Sequence, residues 1–198
     1  MGNDTLTPEE SFDLIKKHIA NFKMNYKENA TTFLLWGWII SVASFSHFVN
    51  LKILQSRGAY ELVGLLSIGN WTVFILSAFI IQHIVDRKVR REKKVFSHLD
   101  NFINTLWMAT GASMFVAVFL CVRLDILPPP FLLLIGGIAT TTTGLLIRFK
   151  PLIIGGIGLF FFSVATTFVS NENMLLITGM AVLCGYLVPG YFLKSAQE

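Results

Sequence analysis

The sequence predicts an all-α polytopic membrane protein with six transmembrane helices, an N-terminal amphipathic helix and both termini in the cytoplasm. Apolar runs of about 20 residues, the length that crosses a bilayer core, take up most of the chain. Only 14% of the 198 residues are charged, whereas a soluble domain carries about 25%. The segment Asp86–Lys94, DRKVRREKK, holds six of the sixteen basic residues and lies between two apolar runs.

The segment from Thr7 to about Glu28 has the pattern of an amphipathic helix. Pro8 stands at the first helical position and Glu10 completes a capping box with Thr7. Apolar residues recur at spacings of three and four: Phe12, Ile15, Ile19, Phe22 and Tyr26. We expect this helix to lie on an anionic membrane surface or on the bundle, and a dedicated partner-binding role is the alternative.

Six spans follow this segment, separated by turn residues. The predicted spans are 32–49, 61–85, 103–122, 131–147, 151–169 and 174–193. The chain is therefore divided into a cytoplasmic N-terminal segment, 1–30, a membrane bundle, 31–194, and a cytoplasmic tail, 195–198. Pro128, Pro129 and Pro130 fix the start of the fourth span, because proline is tolerated only at a helix start.

The basic residues set the predicted orientation, because Lys and Arg stay on the cytoplasmic side of a membrane. With the N-terminus inside, thirteen basic residues lie on the cytoplasmic side and three on the other. The Asp86–Lys94 loop is then cytoplasmic, and we expect it to contact anionic lipid headgroups or an acidic protein partner. The residues concerned are Arg87, Lys88, Arg90, Arg91, Lys93 and Lys94. No nucleic acid partner is expected from so short a basic run beside a membrane.

Small residues recur along four spans, which is typical of close helix packing in lipid. The sets are Thr105, Ala109, Ser113, Ala117 and Cys121 in the third span, Gly136, Thr140 and Gly144 in the fourth, Gly155, Gly156 and Gly158 in the fifth, and Thr178, Ala181 and Gly185 in the sixth. We interpret them as internal packing faces. A homo-oligomer interface is the alternative for one of them.

Polar residues within spans are the candidate functional positions. Asn70 lies near the middle of the second span, with Ser67 one turn before it. Ser44 and His47 lie near the outer end of the first span. An interhelical hydrogen bond and a solute or ion contact are both open for Asn70. His47 and His83 are expected at the membrane interface, on opposite sides, so they do not share a metal site.

Pro189 interrupts the sixth span within the segment Gly185–Tyr191. Proline removes a backbone hydrogen bond and kinks a helix. Gly185, Pro189 and Gly190 are therefore candidate conformational residues. A kink that shapes a cytoplasm-facing cleft and a static helix end are both compatible with this pattern.

The sequence contains none of the motifs that would place an activity. No carboxylate lies deep in a span, which argues against a proton-coupled carrier. No zinc motif, phosphate-binding glycine loop or nucleophile elbow occurs. Catalytic residues, a metal and a cofactor are therefore not expected.

Three segments resemble a family of small uncharacterised six-span membrane proteins of Bacteroidota. They are LLWGW at Leu34–Trp38, GLLIRFKPL at Gly144–Leu152 with Gly155 and Gly156 after it, and GYLVPGY at Gly185–Tyr191. The resemblance implies a bacterial inner membrane, and members of that family often sit beside small winged-helix transcription regulators. It assigns no activity to any residue.

The first functional hypothesis is a non-enzymatic membrane protein with a sensory, regulatory or scaffolding role. The second is a small-solute or ion transporter or channel that works as an oligomer and uses the Asn70 region. The third is an intramembrane enzyme that acts on lipid.

Overall fold

The computed structural model describes residues 8–92 and 98–195, and it describes side chains from Ala30 onward except at positions 89, 90 and 92. The described chain is all-α, as predicted. Its helices are α1 Pro8–Ser56, α2 Val63–Glu92, α3 His98–Arg123, α4 Pro129–Leu146, α5 Lys150–Thr166, α6 Asn171–Val182 and α7 Val188–Ser195. A short 3₁₀ turn, Tyr60–Leu62, precedes α2, and a π-helical turn, Leu183–Leu187, joins α6 to α7 in one continuous rod.

The first two helices are longer than the predicted spans. α1 has 49 residues, so the predicted amphipathic segment and the first span form one helix. No Gly or Pro lies between Pro8 and Gly37 that would break it. α2 continues to Glu92, so the prediction of a loop directly after Val85 is wrong. The Lys, Arg and Glu residues beyond Val85 are good helix formers, which explains the extension.

Three helices end in the same way, with one residue in the left-handed conformation. Gly58 has φ 68°, and Asp125 and Arg148 each have φ 55°. After α4, the Phe149 N–H bonds the Gly144 carbonyl at 2.9 Å and the Arg148 N–H bonds the Leu145 carbonyl at 3.2 Å. This is a Schellman motif, which usually has glycine where Arg148 stands. The motif closes the tight turn that the sequence predicts between the fourth and fifth spans.

α1 is the central helix of the bundle. It packs against α2 on one side and against α6, the π turn and α7 on another, while α3 packs on α4 and α4 packs on α5. Phe33 of α1 makes edge-to-face ring contacts with Trp107 of α3 at 5.5 Å and with Tyr186 of the π turn at 5.6 Å. Trp36 contacts Phe79 of α2 in the same manner at 5.5 Å. These aromatic pairs tie three other elements to α1.

The predicted small residues of α4, of α5 except Gly158, and of the rod formed by α6, the π turn and α7 lie at close helix contacts, which confirms their predicted role. Gly136, Thr140 and Gly144 are buried, and so are Thr178, Ala181 and Gly185. A Cβ at Gly156 would lie only 2.6 Å from the backbone nitrogen of Thr141, so only glycine fits there. Gly158 differs, because a Cβ there would meet nothing within 4 Å.

The predicted packing face of α3 is wrong for most of its length. Thr105, Ala109 and Ser113 are exposed, Ala117 is half-buried and Cys121 is buried. Successive residues are about 100° apart around a helix, so a strict step of four drifts by about 40° each time. The stripe therefore starts on the outer side of α3 and reaches the contact edge only near its end. The buried residues of α3 that mark its observed contact edge are Ile103, Thr110 and Cys121.

Five helical segments in the described chain are long and apolar enough to cross a membrane: Ala30–Ser56, Tyr60–Lys88, His98–Arg123, Pro129–Leu146 and Asn171–Ser195. α5 is apolar but has only 17 residues. At 1.5 Å per residue it is about 26 Å long, a little less than the bilayer core of about 30 Å.

Candidate functional site

Asn70 of α2 bonds α1 through both ends of its side-chain amide. Its Nδ2 donates to the Ala43 carbonyl at 3.0 Å, and its Oδ1 accepts from the Ser46 hydroxyl at 2.8 Å. Ala43 and Ser46 lie three residues apart on α1, so both partners face the same neighbour. The sequence leaves two interpretations of Asn70 open, an interhelical hydrogen bond and a solute or ion contact. The structure contains interhelical hydrogen bonds at this residue.

His47 lies one residue further along α1 and is held by two side chains of α2. The indole nitrogen of Trp71 lies 3.0 Å from His47 Nδ1, and Ser67 Oγ lies 2.7 Å from His47 Nε2. An indole N–H can only donate, so Nδ1 accepts and the proton of the neutral ring is on Nε2. Nε2 then donates to Ser67, whose hydroxyl donates to the Val63 carbonyl at 2.7 Å. Both ring nitrogens therefore have protein partners.

We call Ser46, His47, Ser67, Asn70 and Trp71 the α1–α2 polar cluster. The expected place of His47 at the membrane interface stays a prediction, and His47 itself is buried, at 8% exposure. It is buried because α2 packs directly over it. His83, by contrast, is exposed.

Ser44 does not join this cluster. Its hydroxyl donates to the Leu175 carbonyl of α6 at 2.7 Å, and Ser41 donates to the Gly179 carbonyl at 3.3 Å. The serines therefore bind α1 to α6 on a different face from the one that meets α2. Among the four predicted polar residues, the fold brings Asn70, Ser67 and His47 together and separates Ser44.

The sequence reasoning missed Ser46 and Trp71. Ser46 is three residues from Ala43 and four from Asn50, which is the spacing of one helix face. This spacing is a signal from which a place for Ser46 beside Asn50 on one face of α1 could be predicted. Trp71 carried none, because an aromatic residue in an apolar run is also typical of lipid contact.

A shallow groove of about 310 Å³ lies beside the cluster on the surface between α1 and α2. It is lined by Asn50, Leu66, Gly69, Asn70, Val73 and Phe74. A Cβ at Gly69 would meet nothing within 4 Å, so the groove is wide there. The two asparagines are its polar side chains.

Polar contacts also join the C-terminal end of α1 to the N-terminal end of α6. Glu172 accepts hydrogen bonds from both Lys52 and Gln55. Lys52 and Glu172 form an ion pair with side chains that are 51% and 29% exposed. Exposed pairs of this kind contribute little to stability.

The basic residues of α2 lie on a helix rather than in a loop. Ile84, Arg87, Lys88 and Arg91 line a groove of about 490 Å³, and all four are exposed. The side chain of Arg90, and both Lys93 and Lys94, lie outside the described part of the structure.

The predicted conformational residues lie at the π-helical turn. Pro189 has no N–H to donate to the Gly185 carbonyl, and the helix changes to π geometry over Leu183–Leu187 immediately before it. A Cβ at Gly155 of α5 would lie 2.7 Å from the Gly185 oxygen and 3.0 Å from Pro189 Cγ. The turn is therefore packed tightly against α5. Gly190 is also buried, close to Leu34 of α1.

By helix length and hydropathy, the chain is a multi-span integral membrane protein. Within the described residues, no group of three or more His, Cys, Asp and Glu side chains is placed to hold a metal ion. No family model, curated protein or solved structure matches the chain. The resemblance to the Bacteroidota family stays a prediction.

Proposed function

We propose that the chain is a six-span protein of a bacterial inner membrane, with both termini in the cytoplasm and a non-enzymatic sensory, regulatory or scaffolding role. The distribution of basic residues, thirteen against three, supports this orientation. The resemblance to the Bacteroidota family favours the bacterial inner membrane. α5 counts as the fifth of the six spans, because about 17 residues is the short end of the spanning range.

The observation that carries the proposal is the hydrogen bonding of the α1–α2 polar cluster. The amide of Asn70 and both ring nitrogens of His47 are bonded within the protein. Bonded groups of this kind hold helices together, whereas a transport or catalytic site needs polar groups that can bind something else. The cluster therefore supports a structural use of these residues.

The cytoplasmic face is where we place the contacts with other molecules. The exposed cations of α2 would meet anionic lipid or a cytoplasmic protein partner on that face, and the predicted amphipathic segment before Ala30 would do the same. An acidic partner protein would be recognised by the same charge. Cofactors and nucleic acid have no place in this proposal.

A transporter or channel is the second candidate, and the groove between α1 and α2 favours it. Asn50 and Asn70 place two amides in the lining of this groove of about 310 Å³. Under this view Asn70 contacts the solute, and an oligomer would close the groove.

A flux assay separates the two candidates. The purified protein is reconstituted into vesicles of phosphatidylcholine and phosphatidylglycerol. Proton flux is measured with a pH-sensitive dye while valinomycin sets a potassium diffusion potential, and potassium flux is measured with the same dye and a protonophore in place of valinomycin. We expect no flux above that of empty vesicles. Flux that Asn70→Leu abolishes would favour the transporter, provided that the control variant Ser77→Ala retains it. The control is matched because Ser77 bonds only the Val73 carbonyl of its own helix, at 2.8 Å.

A further inference from the structure

One face of α2 carries an apolar ridge that leads into three cations. The ridge consists of Leu76, Ile80 and Ile84, which are 57%, 62% and 62% exposed. The cations are Arg87, Lys88 and Arg91, which we call the basic face. At about 100° per residue, all six positions fall within an arc of about 120°. The ridge and the basic face are therefore one continuous surface.

The contacts of α2 with α1 turn this surface outward. Ala78 is fully buried. Gln82 lies on the same side, where its Nε2 reaches Thr32 Oγ1 of α1 at 3.4 Å and Asp86 Oδ1 at 2.6 Å. Gln82 and Asp86 are about 160° or more from Ile84 around the helix. The basic face makes no hydrogen bond or ion pair with any side chain that the structure describes.

The length of α2 places the basic face at the level of lipid headgroups. α2 has 30 residues, which is about 45 Å, whereas a bilayer core is about 30 Å thick. If the core begins near Val63, about 20 residues bring it to an end near His83. Ile84 is then at the edge of the core. Arg87 and Lys88 are about 6–8 Å beyond that edge, and Arg91 is about 12 Å beyond it, a distance from which a long arginine side chain can extend back to the headgroups. The headgroup layer on each side is about 5–7 Å thick.

We propose that this surface binds one anionic phospholipid, with an acyl chain along the ridge and the phosphate at Arg87, Lys88 and Arg91. Guanidinium and ammonium groups are the side chains that bind phosphate. The ridge and its depth favour a lipid over a soluble anion or an acidic protein, neither of which uses apolar surface inside the bilayer. Three cations within about 6 Å along the helix axis favour a headgroup with two negative charges over one. The inference rests on the proposed function only in that α2 must cross the membrane.

Native mass spectrometry of the detergent-solubilised full chain, titrated with defined lipids, tests the proposal. The probes are phosphatidylcholine, phosphatidylglycerol, cardiolipin (which carries two phosphates) and inorganic phosphate. We expect cardiolipin to bind most tightly and phosphatidylcholine least. Each cation near a membrane surface changes anionic lipid affinity about fivefold, so R87Q/K88Q/R91Q should weaken cardiolipin binding about 100-fold.

The matched control is R148Q/K150Q/K194Q, which removes the same charge from the same predicted side of the membrane. It should retain cardiolipin affinity within about threefold, because none of its residues belongs to the basic face. A second variant, Ile84→Gln, which adds no charge beside Arg87 and Lys88, should weaken both anionic lipids while leaving any binding of inorganic phosphate unchanged. Thermal unfolding of each variant shows that it is folded.

Three outcomes would overturn the proposal. Equal losses in the two triple variants would mean that net charge alone attracts lipid. Full lipid binding by Ile84→Gln, with competition by inorganic phosphate, would make the basic face a site for soluble anions. If cardiolipin bound the wild-type chain no more tightly than phosphatidylcholine, the surface would not be a specific site for anionic lipid. None of these results bears on flux across vesicles, so failure here is distinguishable from failure of the proposed function.

Discussion

Asn70 satisfies its side-chain amide with two groups of one neighbouring helix. The Ser46 hydroxyl and the Ala43 carbonyl are placed three residues apart on α1, so the amide donates and accepts at the same time. The type of Asn70 and its position in an apolar run are visible in the sequence. Its partners are not, because they depend on how α1 and α2 are rotated against each other.

Ser46→Ala should weaken the contact between α1 and α2. It leaves Asn70 Oδ1 without its donor, and hydrogen bonds between membrane helices contribute about 0.6 kcal/mol on average and up to about 1.7 kcal/mol. We expect the free energy of unfolding to fall by about 0.5–1.5 kcal/mol in a detergent unfolding titration.

Ser77→Ala is the matched control for Ser46→Ala. It removes a hydroxyl that bonds only within α2, so the free energy of unfolding should change little. Equal losses in the two variants would contradict an interhelical role for Ser46.

At the scale of helices, α4 and α5 form the closest pair in the bundle. Gly156 lies against the backbone of Thr141, and a Cβ at Gly144 would lie 2.8 Å from the Ile153 nitrogen. The sequence predicts such contacts from small residues at helical spacing. The same pattern fails for α3, because a strict four-residue step leaves the contact edge of a straight helix. Spacing alone therefore predicts a packing face only over short distances.

Gly156→Ala should destabilise the α4–α5 contact. The new methyl group would lie 2.3 Å from Thr141 Oγ1 and 2.6 Å from the Thr141 nitrogen, and the backbone cannot move away without shifting the helix. Overpacking of this kind costs about 1–3 kcal/mol. Thermal unfolding in detergent measures the loss.

Gly158→Ala, two residues further along α5, provides the comparison. A Cβ there meets nothing within 4 Å, and alanine is the better helix former by about 1 kcal/mol. We expect this variant to unfold at the same temperature as the wild-type chain or a higher one. A loss as large as that of Gly156→Ala would contradict the assignment of the Gly156→Ala loss to the contact with Thr141.

At the scale of the whole molecule, the number of spans decides on which side the C-terminus lies. An even number places the two ends of the bundle on the same side, and an odd number places them on opposite sides. α5 is the helix in question, because its 17 residues fall just below the length of the other five apolar segments.

Cysteine labelling tests the proposed six spans. In a background with Cys121 and Cys184 replaced by alanine, single cysteines are placed at Lys150, Ser170 and Ser195, which are all exposed. With six spans, a membrane-impermeant maleimide added to intact spheroplasts should label position 170 and spare positions 150 and 195. Labelling of all three after lysis is the control. If α5 does not cross, positions 150 and 170 will behave alike and position 195 will differ.

The sequence by itself determined the all-α membrane class, because runs of apolar residues long enough to span a bilayer have no other stable conformation in lipid. It also determined the turns before α4 and between α4 and α5, where proline and charged residues stand. It predicted Asn70, Ser67 and His47 as candidate functional positions, because polar side chains are costly within membrane spans. These properties depend on local composition, so they can be recognised before the fold is known.

Only the tertiary structure decided which polar groups meet. It paired Asn70 with Ser46 and His47 with Trp71, and it directed Ser44 to α6. It also extended α2 past Val85 and turned Arg87, Lys88 and Arg91 onto one outer face. The physical reason is that a helix offers several faces, and which face meets a neighbour depends on the packing of all the helices together.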